Sequence, residues 1–145
     1  MEILGLLCMF TTAAIEDYKT RTIDVRKALL FAVAGVAISL FKGQYSMLSL
    51  LGGVSIGIVF YLVSIVSKEK IGKGDAVIIG VTGLYLGFAN TIILIWISSI
   101  IALIAGLIVI KNYKFQDDVE LPFVPFMLLG YVLMLSIGTI RGVLK

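Results

Sequence analysis

Histidine is absent from the 145-residue sequence, and cysteine occurs once, as Cys8. The lack of histidine excludes catalytic triads with an imidazole base, histidine-ligated metal sites and imidazole proton shuttles. A single cysteine excludes an internal disulfide and a zinc site built from a cysteine cluster. We therefore expect a protein that works without a bound cofactor or metal ion.

Charged residues are also scarce, at 14% of the chain, whereas apolar residues make up 60% and the mean hydropathy is +1.11. Ordinary soluble domains are about 45–50% apolar and about 25% charged. A chain of this length cannot bury so large an apolar excess in its own core, so the composition predicts an integral protein of a lipid bilayer. The net charge of +3 is too small and too scattered for a nucleic-acid-binding surface, and we expect no nucleic-acid partner.

Six apolar runs divide the chain. They cover Ile3–Ile15, Ala28–Phe41, Met47–Val66, Ala76–Phe88, Thr91–Ile110 and Leu121–Ile140. None shows the alternation of a barrel strand, and a segment that spans hydrocarbon must pair its backbone polar groups internally. The sequence thus predicts an all-α fold: a polytopic membrane protein with six transmembrane helices, forming a single domain over residues 1–145. So many spans leave few residues for loops, which excludes a large extramembrane domain.

The basic residues predict how the helices are oriented. Nine of the twelve lie in the loops at residues 16–27, 67–75 and 111–120. Cytoplasmic loops of membrane proteins carry the excess of lysine and arginine. We therefore expect these three loops in the cytoplasm and both termini on the extracytoplasmic side.

Among the runs too short to cross a bilayer alone are Ile3–Ile15 and Ala76–Phe88. At about 1.5 Å per residue, each covers about 20 Å of a hydrocarbon core that is about 30 Å thick. The first helix can borrow residues only after its run, which includes Asp17, and the fourth only before its run, which includes Asp75. Two carboxylates are thereby placed at the same depth on the predicted cytoplasmic side. An ionisable residue drawn into a spanning segment is a functional candidate.

Asp75 ends the sequence Gly-Lys-Gly-Asp at residues 72–75, directly before an apolar run. Aspartate is a good helix N-cap, so this residue has a structural interpretation, and both aspartates have another as loop carboxylates paired with nearby basic side chains. Gly72 and Gly74 favour a functional interpretation, because residues without a Cβ let an extended substrate backbone lie against the loop. Local sequence leaves these interpretations open.

Two further segments accompany this motif. Asp-Tyr-Lys-Thr-Arg-Thr-Ile occupies residues 17–23, and Leu-Pro-Phe-Val-Pro-Phe, with the only two prolines of the chain, occupies residues 121–126. Together the three segments, in this order, resemble the type IV prepilin peptidase family of membrane aspartic proteases over essentially the whole chain. The resemblance implies that Asp17 and Asp75 are the catalytic pair.

The resemblance also implies the substrate and its contacts. The family removes short basic leaders from prepilin-like or preflagellin-like membrane precursors at the cytoplasmic face of the prokaryotic cell membrane, commonly after glycine. Gly72 and Gly74 would line the path of the substrate. Pro122 and Pro125 fit the first turn of a helix, and Pro125 has a second interpretation as a wall of the cleft. One aspartate must be a carboxylate and the other a carboxylic acid, and the sequence does not assign the two states.

The chain departs from the family pattern at two positions. Asp24 follows Ile23 where proline is usual, and Val77 stands where the family usually has a lysine two positions after the second aspartate. The first change is expected to matter little, because a proline there mainly starts a helix, whereas the second removes a cation near the pair. The short loops leave no room for the zinc-binding insertion of longer relatives, so we expect the peptidase-only form without methyl transfer.

Two other functions stay open from the sequence. A small ion-coupled transporter would also place carboxylates near a membrane boundary, but inverted repeats or an acidic residue near the midplane would favour it, and neither is evident. An inactive subunit of a secretion complex would keep the motifs without the activity. The acidic residues within 117–120 are interpreted as a solvated loop, with attraction of a basic leader as the alternative.

Overall fold

Five helices make up most of the chain that the computed structural model describes, which is residues 2–20, 23–42, 46–67, 72–112 and 122–143. In chain order they are α1 (Glu2–Thr20), α2 (Val25–Lys42), α3 (Met47–Val66), α4 (Lys73–Asn112) and α5 (Val124–Val143). No strand occurs among the described residues, which confirms the all-α prediction for them. α1 continues beyond the first apolar run and α4 begins before the fourth, so both short runs are extended in the predicted direction.

α4 contains a sharp break at Gly87. This residue has φ 69° and ψ −177°, a backbone conformation that is essentially restricted to glycine. The amide of Phe88, just after the break, donates a hydrogen bond to Ser49 Oγ of α3 at 3.2 Å. The break divides α4 into a first arm, residues 73–86, and a second arm, residues 88–112. The predicted boundary between the fourth and fifth apolar runs lies just beyond it.

The second arm runs back along the bundle. Gly130 of α5 packs against Ser98 of this arm. The next residue of α5, Tyr131, lies against Phe10 in the middle of α1, with ring centroids 5.5 Å apart. Ser98 therefore lies at mid-height in the bundle, whereas a straight 40-residue helix would extend for about 60 Å, about twice the hydrocarbon thickness. The break keeps both arms beside the other helices, and the number of membrane crossings stays a prediction.

α3 and the first arm of α4 approach each other through glycines. Gly53 faces Gly83, and Gly57 faces Gly80, with the facing backbones in contact. A Cβ at Gly53 would lie 2.6 Å from the carbonyl oxygen of Gly83, so no side chain fits there. Close packing of small residues replaces the hydrophobic effect when helices associate in lipid. Gly53 and Gly57 have the small-xxx-small spacing that predicts such packing.

The core of the bundle lies between α1, the first arm of α4 and α5. Its largest fully buried side chains are Tyr85, Tyr131 and Phe10. The Tyr85 ring packs against Gly35, and its hydroxyl donates a hydrogen bond to the Phe31 carbonyl at 2.7 Å. These contacts fix α2 against the first arm of α4.

The outer surface of the bundle is apolar. Large hydrophobic side chains are exposed on every helix, including Phe41 and Trp96. Soluble monomers rarely expose large contiguous apolar patches. By length and composition, Met47–Val66 and Lys73–Val109 are long and apolar enough to cross a membrane, and Val124–Gly138 is a shorter apolar helix. The apolar helices indicate a membrane protein.

Candidate functional site

Asp17 lies in the last turn of α1 and is 8% exposed. No other carboxylate among the described side chains is buried to this extent. Its Oδ2 accepts a hydrogen bond from the backbone amide of Val124, at the start of α5, over 3.1 Å. Burial of a carboxylate is costly unless its oxygens are hydrogen-bonded, so this contact helps to hold Asp17 in place.

Asp75 is half-buried in the first turn of α4. The helix begins at Lys73, and the Ala76 amide donates to the Gly72 carbonyl at 3.3 Å. Asp75 therefore lies within the first turn, and the interpretation of this residue as the helix N-cap is wrong.

The fold brings the two aspartates to the same end of the bundle. The carboxyl groups of Asp17 and Asp75 are close enough to interact electrostatically. They approach each other because the last turn of α1 lies beside the first turn of α4, and the start of α5 contacts the end of α1. Two carboxyl groups in such an arrangement favour sharing a proton over carrying two charges.

Gly72 and Gly74 have different surroundings. Gly72 is exposed, and a Cβ there would lie 3.1 Å from Asp75 Oδ2. Gly74 is half-buried, and a Cβ there would lie 2.9 Å from the side chain of Ile23. The missing side chain of Gly72 leaves open the space beside the Asp75 carboxyl group, whereas that of Gly74 makes room for Ile23. A substrate path along both glycines stays a prediction.

The proline-containing segment forms the start of α5. The helix begins at Val124, so Pro125 lies in its first turn as predicted, whereas Pro122 precedes the helix by two residues. The Phe123 carbonyl accepts hydrogen bonds from two amides of the first turn, at 3.0 and 3.1 Å. This geometry directs the Val124 amide at Asp17. The role of Pro125 as a wall of the cleft stays a prediction.

A polar clasp, formed by Glu16, Asp24 and Lys27, joins the end of α1 to the start of α2. The Lys27 ammonium group forms an ion pair with Glu16, and the Asp24 amide donates to the same carboxylate at 3.3 Å. Asp24 also caps α2, because its Oδ1 accepts from the Arg26 amide at 3.0 Å. Glu16 follows the first apolar run, and the hydrogen bond from Lys27 holds the pKa of Glu16 below its usual value. Ile23, which lies between α1 and the start of α2, packs against Gly74 in the first turn of α4.

The polar clasp and the Val124 amide are the parts of the site that sequence analysis missed. The departure from proline at Asp24 was a signal for the clasp, because proline has no amide N–H to donate to Glu16. The identity of residue 124 gives no indication that its amide is the donor, since every residue except proline carries the same main-chain N–H group.

Several predicted features lie outside the described residues. They are Arg21, Lys68, Lys70, Lys114, the acidic run within 117–120, and Leu121. Within the described ranges, no three acidic or cysteine side chains converge in a way that would hold a metal ion.

Comparison with known proteins gives a family match. The model of the type IV leader peptidase family matches residues 4–107. The matched region contains Asp17, Gly72, Gly74 and Asp75, and it ends before Pro125. No curated protein and no solved structure matches the chain.

Proposed function

The chain belongs to the type IV leader peptidase family, and on this premise we propose that it is a membrane aspartic endopeptidase whose catalytic pair is Asp17 and Asp75. Membership of this family supports, in general, the activity of a protease similar to the type IV leader peptidases. The observation that supports the aspartic mechanism is that the carboxyl groups of Asp17 on α1 and Asp75 on α4 lie close enough to interact electrostatically, at one end of an apolar bundle.

Two aspartates are sufficient for peptide hydrolysis when they hold different protonation states. The carboxylate takes a proton from water, and the carboxylic acid gives a proton to the scissile carbonyl group. Two unit charges about 4 Å apart, at an effective dielectric constant of about 20, repel each other by about 4 kcal/mol. Repulsion on this scale is enough to keep one of two neighbouring carboxyl groups protonated near neutral pH.

The proposed substrate is a prepilin-like or preflagellin-like precursor that carries a short basic leader. Its apolar stem would lie in the bilayer beside the helices, and its leader would reach the aspartates from the cytoplasm of the prokaryotic cell. The exposed position of Gly72 supports this route, because the space beside the Asp75 carboxyl group is open there. The cytoplasmic location rests on the basic residues in the loops that flank the pair.

Co-expression with a leader-bearing prepilin tests this function. The wild-type protein is expected to shorten the precursor, which is measured as a size shift on a gel. Asp17→Asn and Asp75→Asn should each abolish the shift, because an amide cannot exchange the proton that the mechanism requires. Asp24→Asn is the matched control: the residue is exposed, its amide binds Glu16, which precedes Asp17 in the chain, and asparagine caps a helix as well as aspartate does.

The outcomes separate the alternatives. Cleavage at the wild-type rate by either variant of the pair would exclude the dyad. A folded wild-type protein that cleaves none of a panel of prepilins would instead be the inactive subunit of a secretion complex. No observation favours a transporter, since the buried carboxylate Asp17 lies at a helix end.

A further inference from the structure

The Val124 amide occupies a special position in α5. It belongs to the first residue of the helix, where a backbone N–H has no carbonyl partner within the helix. In this protein the partner is Asp17 Oδ2, at 3.1 Å. Val124 is fully buried and Asp17 is 8% exposed, so water does not compete strongly for either group.

A hydrogen bond of this kind favours the ionised form of its acceptor. An N–H group donates more strongly to a carboxylate than to a neutral carboxylic acid. The N-terminus of a helix also carries a partial positive charge that stabilises a neighbouring anion. Burial alone would disfavour a charge on Asp17, and the direct donor from α5 opposes that effect.

Asp75 lacks a comparable donor. Among the described residues it accepts no hydrogen bond, and the charge that acts on it is that of Asp17, which repels a second negative charge. Asp75 does lie in the first turn of α4, where the helix dipole favours an anion. That influence is weaker than a direct charge-assisted hydrogen bond, so the two carboxyl groups are not equivalent.

We propose that Asp17 is the ionised base of the catalytic pair, that Asp75 is the protonated acid, and that the Val124 amide is the positioning group that sets this assignment. The proposal rests on the proposed function, since it assigns roles within the same pair. It also gives the proline-containing segment a specific task, which is to start α5 where its first amide meets Asp17.

The reaction then proceeds in two balanced steps. Asp17 takes a proton from water as the water oxygen bonds to the scissile carbonyl carbon, and Asp75 gives its proton to the carbonyl oxygen, which yields a gem-diol. Asp75 next takes a proton from one hydroxyl group as the carbonyl re-forms and the C–N bond breaks. Asp17 gives its proton to the leaving nitrogen, and both side chains return to their starting states.

Other charged groups at this end of the bundle are compatible with the assignment. They are Glu16 and Lys19 on α1, Asp24, Arg26 and Lys27 at the start of α2, and Lys73 on α4. Glu16 and Lys27 are paired with each other, and the charged group that acts on Asp75 is Asp17. The first turn of α5 contains no charged side chain.

Replacing Val124 with proline tests the assignment. Proline is well tolerated at the first position of a helix, and it removes the N–H donor. Val124→Ala is the matched control, because it shortens the side chain and keeps the donor. The measurement is the pH profile of kcat/KM for cleavage of a purified prepilin, which reports the acid and the base of the free enzyme.

Val124→Pro should shift only the acid limb of the pH profile of kcat/KM. Without its donor, Asp17 becomes protonated at a higher pH, so the limb moves up by about one pH unit and kcat/KM falls about tenfold below it. The basic limb, which follows loss of the proton from Asp75, should stay in place, and Val124→Ala should keep both limbs. Activity of the proline variant should therefore recover as the pH is raised.

Two results would overturn the assignment. Movement of the basic limb alone would mean that Asp17 is the acid, and an unchanged profile would mean that the amide does not act on the pair. If the proline variant fails to fold, the α-hydroxy acid analogue of valine, 2-hydroxy-3-methylbutanoic acid, at position 124 replaces the N–H with an ester oxygen and keeps the side chain, and the same profile decides. If the wild-type enzyme cleaves the prepilin and Asp17→Asn abolishes cleavage, but the proline variant keeps the wild-type pH profile, then only the assignment is wrong. The proposed function still stands in that case.

Discussion

At the scale of single residues, the site depends on atoms that are absent, such as the Cβ of Gly72, as well as on atoms that are present, such as the amide N–H of Asp24. Gly72 leaves open the space beside the Asp75 carboxyl group. Asp24 carries an amide N–H that the proline of the family pattern would not have, and this N–H binds Glu16. Val77 replaces the lysine of that pattern, so the cation that the pattern places two residues after the second aspartate is absent. The charge that acts on Asp75 is that of Asp17, which repels a second negative charge.

Gly72→Ala should slow cleavage while the protein stays folded. The new Cβ would lie 3.1 Å from Asp75 Oδ2, so the carboxyl group must shift by a few tenths of an ångström. Small displacements of catalytic groups are costly, and we expect about a tenfold loss of kcat. Gly138→Ala is the matched control, because a Cβ at Gly138 has no neighbour within 4 Å. Equal cleavage rates for the two variants, measured at equal expression, would show that the space is not needed.

At the scale of helices, the contact between α3 and the first arm of α4 depends on glycine. The facing pairs leave no room for a side chain, because the nearest atoms are main-chain atoms that cannot rotate away. The same first arm ends at Gly87, whose positive φ allows the second arm to turn back. Glycine thus serves two purposes in α4: close packing along the first arm and reversal at its end.

Gly53→Ala should destabilise the protein without a specific effect on catalysis. Its Cβ would lie 2.6 Å from the Gly83 carbonyl oxygen, so α3 and α4 must separate. Overpacking of this kind costs about 1–3 kcal/mol. Thermal unfolding in detergent should show a lower Tm, with Gly138→Ala again as the control, and the folded fraction should cleave normally. A Tm equal to that of the control would mean that the interface is looser than the glycine contacts indicate.

At the scale of the whole molecule, the bundle has an apolar outside and a polar cluster at one end. Exposed hydrophobic side chains cover every helix, whereas Asp17, Asp75 and the clasp lie together where α1 ends and α2 and α4 begin. This separation fits a protein embedded in lipid with a reaction site at the membrane boundary. The positions of the basic residues predict that this is the cytoplasmic boundary.

Cysteine labelling tests the predicted orientation. With Cys8 replaced by serine, single cysteines are introduced at Ser46, before α3, and at Arg26, in the first turn of α2, both of which are exposed. A membrane-impermeant maleimide added to spheroplasts should label Ser46→Cys and not Arg26→Cys, because the first lies on the extracytoplasmic side and the second in the cytoplasm. Both should react after lysis. The opposite pattern would place the aspartates on the outer face.

The amino-acid sequence by itself determined the helical membrane class, the motif aspartates and the expected orientation, because these follow from composition, run length and the distribution of charge along the chain. It also predicted the extension of α1 and α4 that carries Asp17 and Asp75 into helices. Only the tertiary structure decided that the two carboxyl groups lie close enough to interact electrostatically and that the Val124 amide binds one of them. It also decided that Gly74 packs on Ile23. The physical reason is that such contacts join residues far apart in the chain, and several use main-chain groups or missing atoms, for which the identity of a single residue gives no signal.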